Sequence, residues 1–168
     1  SNGNRFNITT SSFINGEEGI NEHGLAVAMT FVMTGLENIQ AGFNSCFIVR
    51  YLLEKANSTE NALLLLMNLP IASNCNILIA DKNGEMSVVE CTPYKKRIRK
   101  AVNMDNGKIV CTVNSFTSDE MKQYDAAKGD DYHSAKRYYT VMESFNTHMK
   151  GNLIETTKQL LKGNYGFI

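Results

Sequence analysis

The stretch NILIADKNGEMSVVEC, Asn76 to Cys91, holds two short apolar runs, Asn76–Asp81 and Glu85–Cys91, on either side of Asp81-Lys82-Asn83-Gly84. Asn-Gly between alternating apolar segments is a strong hairpin signal, so these residues predict two antiparallel strands joined by a tight turn. Downstream, Lys95–Val102 and Lys108–Val113 repeat the device around Asp105-Asn106-Gly107. Four successive antiparallel strands are therefore expected in the middle of the chain.

Upstream of the hairpin the period changes. Asn44–Ala56 carries Phe47, Ile48, Tyr51, Leu52 and Ala56 at helical spacing. Asn57-Ser58 interrupts that pattern, and Ser58 suits the N-cap of a second helix, Thr59–Leu69, stopped by Pro70. Nearer the start, NGEEGINEHGLAVAMTFV (Asn15–Val32) breaks its alternation at Asn21–Gly24 and resumes it, which reads as two more strands and a turn. Arg5–Thr10 alternates weakly and is a further strand candidate. Beyond the central strands, Ser115–Asp131 is polar and irregular, a surface loop. His133–Met149 and Asn152–Leu161 then read as helices separated by Lys150-Gly151. Helices thus come in pairs between blocks of antiparallel strands. That order excludes a doubly wound parallel sheet and predicts an α+β layered fold, one domain spanning residues 1–168.

Composition narrows the function classes. Lysine plus arginine, 17, equals aspartate plus glutamate, 17, so no overall charge favours nucleic acid or an anionic membrane. No run approaches the ~20 apolar residues needed to span a bilayer. The basic run Lys95–Lys100 reads as a solvated edge strand, whose charges block edge-to-edge pairing. Four cysteines, Cys46, Cys75, Cys91 and Cys111, show no metal-ligand spacing. They are read as buried free thiols of a reducing, cytoplasmic compartment, with neither metal nor cofactor implied. His23, His133 and His148 have no Ser, Cys or Asp partner at motif spacing. No phosphate-cradling glycine loop appears.

Five stretches carry a resemblance. Gly19-Ile20-Asn21-Glu22-His23-Gly24-Leu25-Ala26 resembles the G-[IM]-N-E-x-G-L-A hairpin of the choloylglycine hydrolase and penicillin acyltransferase superfamily of N-terminal-nucleophile enzymes. Arg50–Glu54 resembles its RxLLE helix. Asn76–Asp81 with Val88-Val89-Glu90 resembles its N-x-L-x-A-D and VVE hairpin. Cys111–Phe116 resembles its TNHF strand end, and Ser134–Arg137 the SxxR that opens a late helix. The acyltransferase branch fits better than the bile-salt branch. The resemblance implies an αββα sandwich, two antiparallel sheets between layers of paired helices. It also implies cleavage or acyl transfer at linear amide or thioester bonds of a small molecule, with an N-terminal cysteine whose own α-amine is the base.

Carried over by position, the resemblance makes Asn114 the oxyanion donor and Arg137 the arginine beside the nucleophile, with Thr30 lining the pocket. Asn21–Gly24 is then a structural turn, and His23 is not catalytic. No cysteine precedes Gly19, and relatives continue past Tyr165–Ile168. The expectation is accordingly a fragment of the domain, incomplete at both ends, inactive without the upstream cysteine, with open sheet edges that invite a homo-oligomer. The other reading, from a different class, is a domain that kept the scaffold, lost the nucleophile and binds a ligand or partner.

Overall fold

The computed structural model describes residues 3–11, 15–105, 107–127, 129, 132–148 and 152–166. Six strands, β1 (Phe6–Thr9), β2 (Glu18–Asn21), β3 (Leu25–Phe31), β4 (Cys75–Asp81), β5 (Met86–Cys91) and β6 (Lys96–Lys100), form one antiparallel meander in chain order. The helical hairpin α1 (Ser45–Lys55) and α2 (Thr59–Asn68) is inserted between β3 and β4. The hairpin expected at Asn76–Cys91 is present as β4 and β5, with Gly84 at φ +83°, a left-handed position that glycine occupies without a Cβ penalty.

Period-2 alternation places Leu25, Val27, Ile77, Ile79, Val89 and Cys91 on one face of the sheet, where they close on Ile48, Val49, Leu52 and Leu53 of α1 and Ala62 and Leu66 of α2. Each large aliphatic side chain buried here contributes about 1.5–3 kcal/mol. The apolar face of α1 differs from the spacing expected. Its stripe runs through Ile48, Val49, Leu52 and Leu53, while Phe47 is 49% exposed and Tyr51 only partly buried. The sheet meets the helix along the 48/52 and 49/53 ridge, which leaves Phe47 on the outer side. At β2 the approach is close: a Cβ on Gly19 would lie 2.7 Å from Leu53 Cδ1 and 2.4 Å from the Asn7 carbonyl.

Two polar side chains tie turns to helix ends. Asn21 Oδ1 accepts from the N–H groups of His23 (3.0 Å) and Leu25 (3.1 Å), while its Nδ2 donates to the Leu53 and Ala56 carbonyls at the end of α1. Asp81 accepts from Asn83 N–H within its own turn and from Thr59 N–H at the start of α2, both at 2.9 Å. Ser58 caps α2 through Asn61 N–H, as expected. The Asn21–Gly24 turn is thus structural, and the His23 ring contacts Asn4 Oδ1 at 3.2 Å.

Three expectations need correction. First, no long second hairpin follows β6. That strand pairs back on β5, and a separate two-stranded ladder forms from β7 (Val102–Met104) and β8 (Gly107–Ile109). Residues 110–114 run without a ladder, and side chains of the large sheet bind the Cys111 and Val113 carbonyls instead. Second, the 115–131 segment contains a short helix, α3 (Asp119–Lys122), whose Met121 packs with Val32 and Phe116. Third, β6 is the edge strand, but Lys95, Lys96, Arg97 and Arg99 have specific partners. Lys96 Nζ caps the end of α2 at the Met67 and Leu69 carbonyls, and Lys95 and Arg97 share Glu120 at 2.7 and 2.8 Å. Burial lowers the Lys96 pKa.

The late helices α4 (Ser134–His148) and α5 (Leu153–Leu161) pair with each other over the opposite sheet face. Leu78 and Met86 of the sheet, Ile109, and Val141, Phe145 and Leu153 of these helices line an open apolar pocket of about 550 Å³. Lys150-Gly151, expected between them, lies outside the described residues. Among the described residues no helix is long and apolar enough to cross a membrane.

Candidate functional site

On the sheet face turned toward α4, the register sets Thr30 opposite Asn76, Asn76 opposite Glu90, and Glu90 opposite Arg97. Arg99 stands in the neighbouring rung, across from Val88. This polar row receives the unladdered segment Cys111–Ser118. Thr30 Oγ1 donates to the Val113 carbonyl (2.7 Å) and lies 3.2 Å from Thr112 Oγ1. Asn76 Nδ2 donates to the Val113 and Ser115 carbonyls at 2.9 and 3.1 Å. Glu90, fully buried, accepts from Thr117 N–H and Oγ–H at 2.8 Å each and from Ser118 N–H at 3.2 Å. Arg99 Nε closes an ion pair on Glu90 at 2.9 Å, and its Nη2 donates to the Cys111 carbonyl. A buried carboxylate is tolerated only when paired and hydrogen-bonded in this way.

The segment so held presents Asn114. Its Nδ2 donates to the Phe31 carbonyl at 3.2 Å, and its Oδ1 accepts from Arg137 Nη2 at 3.0 Å. Arg137 in turn donates from Nε to the Tyr132 carbonyl, and the Tyr132 ring meets Phe31 edge-on at 5.4 Å. His133, at φ +50° the one non-glycine in the left-handed region among the described residues, turns the chain into α4 so that this happens. The three residues singled out from sequence therefore gather at the end of β3. Asn114 and Arg137 touch each other, while Thr30 binds the carbonyl of Val113, next to Asn114, and not open space.

This seam separates two cavities. On one side is the apolar volume, reached by Cys111 and Thr112. On the other is a groove of about 600 Å³ lined by Arg97, Ser115, Thr117, Ser134 and Tyr138, among others. Chemically, a guanidinium on the carbonyl of a carboxamide polarises it and strengthens its N–H donors. One Asn114 hydrogen goes to Phe31; the second meets no acceptor among the described residues.

Asn76, Glu90 and Arg99 were not assigned roles from sequence. The signal existed: Asn76 and Glu90 are polar positions of opposite phase to Ile77 and Val89 in otherwise apolar strands, which marks a polar second face. Arg99 was hidden inside a run that looked uniformly solvated.

The cysteines are all free. Cys75 and Cys91 sit directly opposite one another, buried; a hydrogen bond from the Cys91 thiol to Cys75 and then burial push the Cys91 pKa well up. Burial also raises Cys111 and Cys46. Among the described residues no cluster of three His, Cys, Asp or Glu side chains could hold a metal ion.

A family model described as acyl-coenzyme A:6-aminopenicillanic acid acyl-transferase matches residues 6–167. Among solved structures, a variant of conjugated bile acid hydrolase from Clostridium perfringens superposes with a TM-score of 0.56 at 19% identity, over 90% of this chain and 62% of that one. A second mutant of that hydrolase gives 0.52 at 16% identity, over 91% and 59%. Penicillin V acylase from Agrobacterium tumefaciens gives 0.47 at 18%, over 83% and 41%. The chain thus spans less than two thirds of each of these proteins. No curated protein matches it. The likeness to the two hydrolase structures is one of fold, the layered α+β arrangement expected from the element order.

Proposed function

The chain belongs to the acyl-coenzyme A:6-aminopenicillanic acid acyl-transferase family, of the N-terminal-nucleophile type, and from that premise we propose that Asn114, Arg137 and Thr30 form the carbonyl-handling part of its acyl-transfer site. The whole protein would act on linear amide C–N bonds or acyl thioesters of a small molecule. The observation that supports this best is the direct Arg137–Asn114 hydrogen bond at the end of β3, joining residues from two of the matching stretches.

In the proposed reaction a cysteine thiolate attacks the substrate carbonyl carbon, and the C=O π pair moves onto oxygen. Asn114 Nδ2–H donates to that oxyanion, a contribution of about 3–4 kcal/mol for one such donor. Collapse of the intermediate expels the amine or thiol, which takes the proton first lost by the nucleophile and held by its α-amine. The resulting acyl-enzyme passes its acyl group to water or to an acceptor amine. Arg137 polarises Asn114 and adds positive charge that favours the thiolate over the thiol. Thr30 shapes the wall by holding Val113. This chemistry calls for no metal or cofactor.

The four thiols of this sequence are not proposed as the nucleophile. The mechanism requires an α-amine on the same residue, and the pKa values are raised by burial at Cys46 and Cys111 and by the hydrogen bond with Cys75 and burial at Cys91. The test is Asn114→Ala in the whole protein, assayed with an acyl-coenzyme A plus 6-aminopenicillanic acid and with a conjugated bile acid. Turnover should fall about 100-fold or more at near-normal thermal stability. Unchanged turnover would remove Asn114 from the site.

A further inference from the structure

We propose that Asn76 is a positioning residue for Asn114, the central contact of a cradle that the sheet builds with Asn76, Glu90 and Arg99. This rests on the role given to Asn114 above. The carbonyls of Val113 and Ser115 flank Asn114 in the chain, and Asn76 Nδ2 binds both, at 2.9 and 3.1 Å. The Val113 carbonyl belongs to the peptide that enters Asn114 and the Ser115 carbonyl to the peptide one residue beyond it, so pinning both restricts the few torsions between them and with these the direction of the Asn114 Cα–Cβ bond. The same segment is held at one end by Arg99 Nη2 on the Cys111 carbonyl and at the other by Glu90 on the Thr117 and Ser118 N–H groups. Tyr138 of α4 lies over the Arg99 guanidinium at 6.0 Å, so the helix that carries Arg137 rests on the same cradle.

Two features distinguish this from ordinary packing. Asn76 is 1% exposed, and its Oδ1 is buried with no partner among the described residues, while its Nδ2 makes its two shorter contacts to the segment that carries Asn114 and a longer one, 3.3 Å, to Thr30 Oγ1. An unpaired buried acceptor is a cost that native folds seldom carry without a reason. The segment also has no β-ladder of its own over 110–114. Side-chain donors from the sheet replace the backbone ladder that would otherwise set its register.

The geometry makes a specific kinetic demand. If Asn76 acts only by aiming Asn114, its loss lowers kcat and leaves KM nearly unchanged, and it costs nothing more once Asn114 is gone. The experiment is a double-mutant cycle in the whole protein with the same acyl-coenzyme A and 6-aminopenicillanic acid assay. Asn76→Ala should lower kcat about 10- to 100-fold, the effect of a misplaced catalytic group. The Asn76→Ala/Asn114→Ala double variant should be no slower than Asn114→Ala alone. Amide hydrogen exchange over 112–118 should speed up in Asn76→Ala while that of β4 and β5 stays slow. Should Asn76→Ala fail to fold, Asn76→Ser, which keeps one small donor, takes its place, with a smaller loss expected.

A double variant whose losses simply multiply, or a kcat unchanged by Asn76→Ala, overturns the cradle. Unchanged turnover in Asn114→Ala overturns instead the reading on which the cradle rests. A normal loss in Asn114→Ala beside an inert Asn76→Ala sinks the cradle alone.

Discussion

On one face of the six-stranded sheet Leu25, Val27, Ile77, Ile79 and Val89 press against α1 and α2; on the other, Thr30, Asn76 and Glu90 stand in register and grip a segment of irregular chain. The same strands supply both sets, residue by alternate residue. The apolar face stabilises by area, a non-directional quantity that tolerates repacking. The polar face has directional contacts with little slack, and its donors meet named carbonyls, a carboxylate and a hydroxyl. One face holds the fold together, and the other sets the position of a few atoms.

Removing the buried carboxylate tests the polar face most severely. Glu90→Ala leaves Arg99, 16% exposed, beside a hole and frees the Thr117 and Ser118 N–H groups. A cost of about 3–5 kcal/mol is expected in chemical denaturation, together with loss of turnover in the whole protein. A cost under about 1 kcal/mol would mean that the polar face is incidental to the fold.

Leu52→Ala strikes the other side. Leu52 is completely buried between helix and sheet, so about 2–4 kcal/mol should be lost, with kcat per folded molecule unchanged. A selective drop in kcat would break the division of labour between the faces.

The smallest effect concerns Asp81, at the rim where the turn meets α2. Burial raises its carboxyl pKa, but the N–H groups of Thr59, Asn83 and Glu85 and the Thr59 hydroxyl outweigh that and hold it below the ordinary value. A pKa depressed on folding stabilises above the unfolded carboxylate pKa, and the gain disappears as pH falls through the folded value. Asp81→Asn should therefore lose up to about 1 kcal/mol at pH 7, the scale of a helix-terminal contact, and approach the parent as pH falls below the ordinary carboxylate range. Parallel stability curves for the two proteins from pH 7 to pH 2 would exclude a charged role for Asp81.

Local signals carried much of the fold. Asn83-Gly84, Ser58 before an apolar run and Pro70 after it act within a few residues, and the β4–β5 hairpin and both ends of α2 lie where they point. The pairing of Lys108–Val113 with Lys95–Val102 was not legible in that way. A turn signal at Asp105–Gly107 says that the chain reverses, but not which partner wins its carbonyls. The side chains of Thr30, Asn76 and Arg99, distant in sequence, took them. The charges of Lys95–Lys100 were misread for a related reason, since a run of cations carries no mark of the acids it will meet.

By itself, then, the order of amino acids determined the period of each segment, its caps and turns, and through five short stretches the family. These depend on neighbours along the chain or on a pattern shared with relatives. Only the tertiary structure decided that Asn114 meets Arg137 and that Asn76, Glu90 and Arg99 stand beneath the chain that carries it. A hydrogen bond forms between atoms at about 3 Å whatever their separation in sequence. Such partners are chosen by the register of strands and the seating of a helix, which no single segment encodes.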